Sequence, residues 1–212
     1  MSRASRLRCS AAILCMAAAA GCSWFEVDEG RDAEPSDASP PAASGRLAVP
    51  DLGPGDQFGT AVAATPDLIA VGAPGDDREG TEAGAVHLFG ASGAGWTEQG
   101  VLVGPDARTG DHFGSSLALA GDLLAVGAPG RDEDGSWAGA VYVYRRDGDA
   151  WTQVATLLAP DATTGARFGT SVAFLDPDRL TVGASGHDGD ETGAGAAYLF
   201  QRQGDTWSAM TE

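Results

Sequence analysis

The sequence predicts an all-β fold built from three copies of one unit, and three observations carry that prediction. First, landmarks recur at a fixed spacing: Phe58-Gly59, Phe113-Gly114 and Phe168-Gly169 are 55 residues apart. Gly72-Ala73-Pro74 returns as Gly127-Ala128-Pro129 and as Gly183-Ala184-Ser185, and Trp96, Trp151 and Trp207 keep the same register. A fixed period of this size marks a repeat architecture. Second, each unit divides into four short apolar stretches separated by Gly, Pro, Asp and Ser, the residues that turns require. Third, no segment after residue 45 shows convincing helical periodicity.

The four strands follow from local patterning. Phe58 to Ala64 alternates bulky and small residues, which suits a strand with one crowded face. Leu68 to Gly72 is a continuous apolar run, as expected of a strand buried on both faces. Ala85 to Phe89 and Trp96 to Val103 supply the third and fourth strands. Four strands in a unit of roughly 40 to 55 residues is the size of a propeller blade, although periodicity alone also admits a solenoid or a sandwich. The repeated tryptophans, which open the outer strand, read as structural plugs between blades.

Ahead of the repeats the composition changes twice. Arg3, Arg6 and Arg8 precede a short apolar run, Ala11 to Ala20, which reads as an export signal over residues 1–21. It ends Ala19-Ala20-Gly21-Cys22 and resembles the lipobox of bacterial lipoproteins, with Ala19 where Leu is usual. That resemblance implies lipidation of Cys22 and anchoring to the cell envelope. Ser23 resembles the outer-membrane class. Cys9, Cys15 and Cys22 are the only cysteines, so a processed chain has no free thiol. Residues 22–44 then form a linker rich in Asp, Glu, Pro, Ala and Ser, expected to be disordered because it buries too little apolar surface. Processing removes three Arg and no acid, which moves the net charge from −17 to −20. A surface this acidic, with no Lys at all, excludes nucleic acid as a partner.

Phe-Gly followed some 14 positions later by Gly-Ala-Pro resembles the FG-GAP repeat, the unit of the integrin α-type β-propeller. The resemblance covers residues 45–212, as units at about 55–109, 110–164 and 165–212. It implies a partial β-propeller of three four-stranded antiparallel blades, preceded by signal peptide and linker. Ser185 departs from the pattern. Calcium-binding members carry an Asp-rich loop between Phe-Gly and Gly-Ala-Pro. Here those connections are Thr65-Pro66-Asp67, Ala120-Gly121-Asp122 and Leu175 to Asp178, too short for a calcium cage. Acids cluster instead after Gly-Ala-Pro. Aligned on the glycines, Asp77, Asp132 and Asp188 share one position and Glu79, Asp134 and Asp190 another. They are candidate ligands for weak Ca²⁺ binding. The sparse oxygen count favours the alternative, in which Asp side chains cap turns through their own backbone.

The sequence offers no catalytic constellation. His87, His112 and His187 fall at three unrelated repeat positions, His87 aligning with Tyr142 and Tyr198 as a packing residue. No nucleophile elbow or phosphate loop is present. Trp137 stands alone in its loop, where the sister repeats have Glu82 and Gly193, and is the candidate ligand-contact residue. The expectation is therefore a non-catalytic binding or adhesion module of the envelope, with membrane attachment through lipid and a protein or glycan ligand. Alternatives are a structural spacer or assembly unit, or a truncated accessory domain of a larger secreted protein or hydrolase. Three blades are fewer than the four to eight of a propeller. Gly45 to Pro50 matches the end of an outer strand, whereas the outer strand opened by Trp207 is short. Two chains closing a six-bladed ring, a fragment of a longer propeller, and a monomeric arc all fit.

Overall fold

The computed structural model describes residues 45–47, 49–93, 95–132, 136–189 and 191–210. They form three four-stranded antiparallel sheets, each a simple up-and-down meander. Blade 1 holds β1 (Val62–Ala64), β2 (Leu68–Ala73), β3 (Ala85–Ser92) and β4 (Gly95–Val103). Blade 2 holds β5 (Ser116–Ala120), β6 (Leu123–Ala128), β7 (Ala140–Asp147) and β8 (Ala150–Leu157). Blade 3 holds β9 (Phe168–Asp176), β10 (Arg179–Ala184), β11 (Ala196–Gln203) and β12 (Thr206–Ala209). This is a partial β-propeller.

The first strand differs from its sequence expectation in blades 1 and 2, where Phe-Gly precedes the strand. The reason is backbone handedness. Gly59 and Gly114 have φ of +98° and +91°, outside the extended region, and end the pairing there; Gly169, at +91°, is taken into β9 where its register against β10 shifts. The residue two before each glycine accepts a turn hydrogen bond from the residue after it, as in Gln57 O from Thr60 N and His112 O from Ser115 N. This turn drives each phenylalanine beneath the third strand of its own blade. Phe113 lies 5.6 Å from the ring of Tyr142, and Phe168 lies 5.5 Å from that of Tyr198. Phe58 meets His87 edge-on at 5.4 Å, so His87 packs where its sisters place tyrosine.

Burial on both faces of the inner strands is visible in blade 2. Leu124, Val126 and Ala128 of β6, with Tyr142 and Tyr144 of β7, join Leu68, Val86 and Leu88 of blade 1 in one core. The alternate residues Leu123, Ala125, Val141 and Val143 join Phe168, Leu180, Val182 and Phe200 of blade 3 in another. Period-two geometry thus divides one sheet between two cores. Trp151 packs against the first core and Trp207 against the second.

The seams between blades are made by backbone. Phe113 forms a parallel bridge with Gly84, and Phe168 forms the same bridge with Gly139. The N–H groups of His112 and Phe113 donate to the carbonyls of Glu82 and Ala83, and those of Arg167 and Phe168 to Trp137 and Ala138. Beside them, Gly72 faces Gly114 and Gly127 faces Gly169 so closely that a Cβ on Gly127 would stand 2.1 Å from the Gly169 carbonyl oxygen. Ser116 Oγ donates to that same carbonyl at 2.7 Å. Gly127→Ala is expected to cost about 1–3 kcal/mol or more, because the obstruction is backbone rather than a movable side chain. Gly100→Ala, where nothing lies within 4 Å of an added Cβ, should change stability by less than about 0.5 kcal/mol. Denaturant melts of the two variants check the contrast.

Candidate functional site

Among the described residues, the loops that follow the second strand of each blade share one hydrogen bond, made by the repeated aspartate, and one left-handed position. Asp77 Oδ1 accepts from Glu82 N at 2.7 Å, Asp132 Oδ1 from Trp137 N at 2.6 Å, and Asp188 Oδ1 from Gly193 N at 2.6 Å. The donating residues all have left-handed backbones, with φ of +54°, +61° and +68°. One oxygen of Asp77, of Asp132 and of Asp188 is therefore engaged with its own loop. Glu79 is exposed on the surface. Asp134 and Asp190 lie outside the described residues, as does Cys22. Among the described residues no group of three or more His, Cys, Asp or Glu is placed to hold a metal ion. The groove on blade 1 lined by Asp51, Asp56, Asp76 and Asp77 follows the same logic. Asp56 accepts from Gly53 N at 2.7 Å, and Asp76 takes a two-pronged pair from Arg78 at 2.8 and 2.9 Å.

Trp137 is placed differently from its sisters' side chains. Its carbonyl belongs to the seam between blades 2 and 3, yet its indole is 42 % exposed. The guanidinium of Arg167 sits 5.3 Å from the ring centroid, and the imidazole of His112 lies 5.6 Å away. A bulky residue with φ near +60° is held against its own preference. Gly193 at the equivalent place shows that the backbone shape does not need a side chain there.

A polar cluster that no single repeat reveals occupies the edge of each blade. In blade 2, Asp106 accepts from Arg131 and, at 2.7 Å, from the Tyr142 hydroxyl, while the Arg131 side chain is nearly buried. In blade 3 the equivalent residues are Asp161, His187 and Tyr198, with Tyr198 donating to Asp161 at 2.6 Å and His187 Nε2 3.5 Å from the same carboxylate. In blade 1 the chemistry is inverted. Asp76 stands where Arg131 and His187 stand, and His87 replaces the tyrosine, its Nδ1 2.7 Å from Glu98 and its Nε2 3.9 Å from Asp76. The sequence signal for this cluster lies in three columns of the repeat: 51/106/161, 76/131/187 and 87/142/198.

Titration behaviour follows from these contacts. Burial opposes ionisation of Asp106, but hydrogen bonds from Arg131 and Tyr142 outweigh it and hold the carboxyl below its ordinary value. Asp76 behaves alike, its burial overcome by Arg78. Burial, then the bond to Asp106, pushes the Tyr142 hydroxyl well above its usual value. Asp111 goes the other way, raised chiefly by burial. Because Asp106 is depressed in the folded state, its contribution to stability is complete above about pH 4 and disappears as pH falls through the lowered folded value. Asp106→Asn should cost about 1–2 kcal/mol at neutral pH, the partial exposure of the carboxylate keeping the figure low. That deficit should close in acid, as read from denaturant melts of both chains at pH near 7 and near 3. Asp132→Ala, which removes the acceptor for Trp137 N, should cost about 1 kcal/mol by the same assay.

Three stretches, residues 44–89, 96–144 and 151–200, match the FG-GAP repeat model and together span more than half of the chain. No curated protein matches. Among solved structures, the crystal structure of Saccharomyces cerevisiae Sqt1 aligns with 15% identity and a TM-score of 0.46, covering 76% of this chain and 36% of that one. The chain thus spans about a third of that structure's length.

Proposed function

This chain belongs to the FG-GAP repeat family, whose repeats form a β-propeller-like binding or structural module, and we propose that it is a non-catalytic binding or adhesion module anchored to the cell envelope. The observation that carries the reading is Trp137. Its loop conformation is supplied by Asp132 and is kept in the sister repeats around Glu and Gly. The left-handed backbone is shared with Glu82, so what sets Trp137 apart is a large aromatic left half-exposed in a loop, the kind of residue that dominates contact surfaces. Arg167 and His112 hold the ring at the seam of two blades, leaving a flat aromatic face beside a cation. Such a platform suits the apolar face of a sugar ring or an aromatic or acidic side chain of a protein.

Attachment rests on the sequence: the basic start, the apolar run and Cys22 place a lipid at the head of a polar spacer. A second reading, as a structural unit of the envelope, is favoured by the loop aspartates, which serve the backbone rather than a ligand.

Two experiments test the proposal. Cells fed an alkyne-tagged palmitate should label the wild-type chain and leave Cys22→Ala unlabelled; equal labelling refutes the anchor. The purified chain, titrated with envelope polysaccharide fractions while tryptophan fluorescence is followed, should show saturable binding that Trp137→Ala weakens at least tenfold. Undiminished binding by that variant removes the proposed contact, and a structural role then accounts for the repeats.

A further inference from the structure

The seam between blades 1 and 2 and the seam between blades 2 and 3 use the same two columns of the repeat, but their side chains differ in kind. At the first, His112 N donates to Glu82 O at 3.1 Å, and His112 Nε2 stands 4.0 Å from Glu82 Oε2. At the second, Arg167 N donates to Trp137 O at 2.9 Å, and the Arg167 guanidinium lies over the indole, 5.3 Å from its centroid. All four residues have left-handed backbones, with φ from +54° to +61°. One seam therefore sets a base against an acid. The other sets a cation against a ring, and its charge meets no carboxylate among the described residues.

That arrangement is out of keeping with the other cations of the blades. The chain has 30 acidic residues against 13 lysines and arginines, and Arg78, Arg131, Arg145, Arg146, Arg179 and Arg202 each hold an aspartate. Arg167 is exposed and holds none. A guanidinium drawn to a ring by its charge keeps its in-plane N–H donors for a second partner. The group that such a fork fits best is a carboxylate, taken by two parallel hydrogen bonds. Beside the fork lies the half-exposed indole, with the His112 ring 5.6 Å away. The other exposed large apolar side chains, Val62, Leu175 and Met210, lie on strands or directly after one, outside these loops. A protein partner needs a broad patch with an apolar centre, whereas one ring beside one guanidinium matches a single sugar residue.

We propose that the seam of blades 2 and 3 binds a carboxylated sugar of the uronic acid class: the apolar face of the pyranose rests on the Trp137 indole and its carboxylate takes the N–H edge of Arg167. This rests on the reading of Trp137 as a contact residue and adds the charge of the ligand to it. The chain's own charge of −17 repels a polyanion at a distance. The carboxylate is therefore recognised on contact, in salt of about 0.15 M, where charges more than about 8 Å apart are screened.

The test is calorimetric titration of the purified full chain with oligomers of galacturonate, glucuronate and mannuronate, each beside the same oligomer with its carboxyls reduced to alcohols. At least one acidic oligomer should bind about tenfold or more tighter than its reduced partner, the gain expected of charge-assisted hydrogen bonds. Arg167→Gln puts into this turn the residue type that blade 1 carries there, Gln57 at φ +57°, so the fold should persist while the preference for the acid is erased. Arg167→Lys keeps the charge without the planar fork and should retain part of that preference. Trp137→Ala should weaken both members of the pair. Equal binding of the two members, still weakened by Trp137→Ala, leaves the contact at Trp137 standing and overturns the carboxylate. Binding that neither Trp137→Ala nor Arg167→Gln alters overturns both. A preference that survives Arg167→Gln, a glutamate oligopeptide bound as tightly as the uronate, or no acidic oligomer bound at all also overturns the proposal.

Discussion

The contact on which the rest of this structure depends is the meeting of glycine with glycine at the blade seams. Gly72 against Gly114 and Gly127 against Gly169 let two backbones approach to a distance at which no Cβ fits. With that approach go the parallel bridges of Phe113 and Phe168 and the carbonyl ladder through Glu82 and Trp137. Interiors are packed at crystal-like density, so an added methyl group at the seam cannot be absorbed by side-chain adjustment. The left-handed turn at Phe-Gly is the other half of the device, because it brings the chain into the seam at the required angle.

Around this apolar and backbone framework the protein arranges its charges locally. With 30 acidic and 13 basic side chains, most carboxylates have no arginine to pair with. The ordered ones turn to backbone N–H groups instead: Asp77, Asp132 and Asp188 to their loops, Asp56 and Asp111 to the turns before Phe-Gly. Two cationic residues, Arg131 and His187, go to nearly buried positions. Arg131 and His187 meet the aspartate that follows the outer strand of the preceding repeat. Blade 1 carries an aspartate there and recruits Arg78 and His87 around it.

What was legible in the sequence was whatever repeats. The period, the doubly buried run at Leu68, the packing role of His87 and the membership of Trp96, Trp151 and Trp207 in the fourth strands are all column properties, readable from spacing and alternation. The start of the first strand was not, because alternation through Phe58, Thr60 and Val62 looks extended while the decisive quantity is the sign of φ at Gly59. For Asp132 the sparse oxygen count favoured capping a turn over holding a cation, but the identity of the capped N–H, that of Trp137 five residues on, was not readable from the sequence. The cluster of Asp106, Arg131 and Tyr142 escaped because its members lie 25 and 36 residues apart and change identity from blade to blade. Position 137 is one column with three unlike side chains, and the structure gives all three a left-handed backbone and the same N–H bond to the loop aspartate.

The seam recognises backbone and the lack of a side chain, and this makes it blind to which blade it joins. Nothing in Gly127 or Gly139 distinguishes Phe168-Gly169 from Phe113-Gly114 or Phe58-Gly59. Such an interface tolerates duplication of a unit, because a new copy arrives already compatible with both neighbours. It also carries a hazard during synthesis, when a half-made chain can accept the corresponding piece of another and exchange units with it. What does differ between units is chiefly the aspartate–arginine–tyrosine cluster of blade 2 and its histidine counterpart in blade 3.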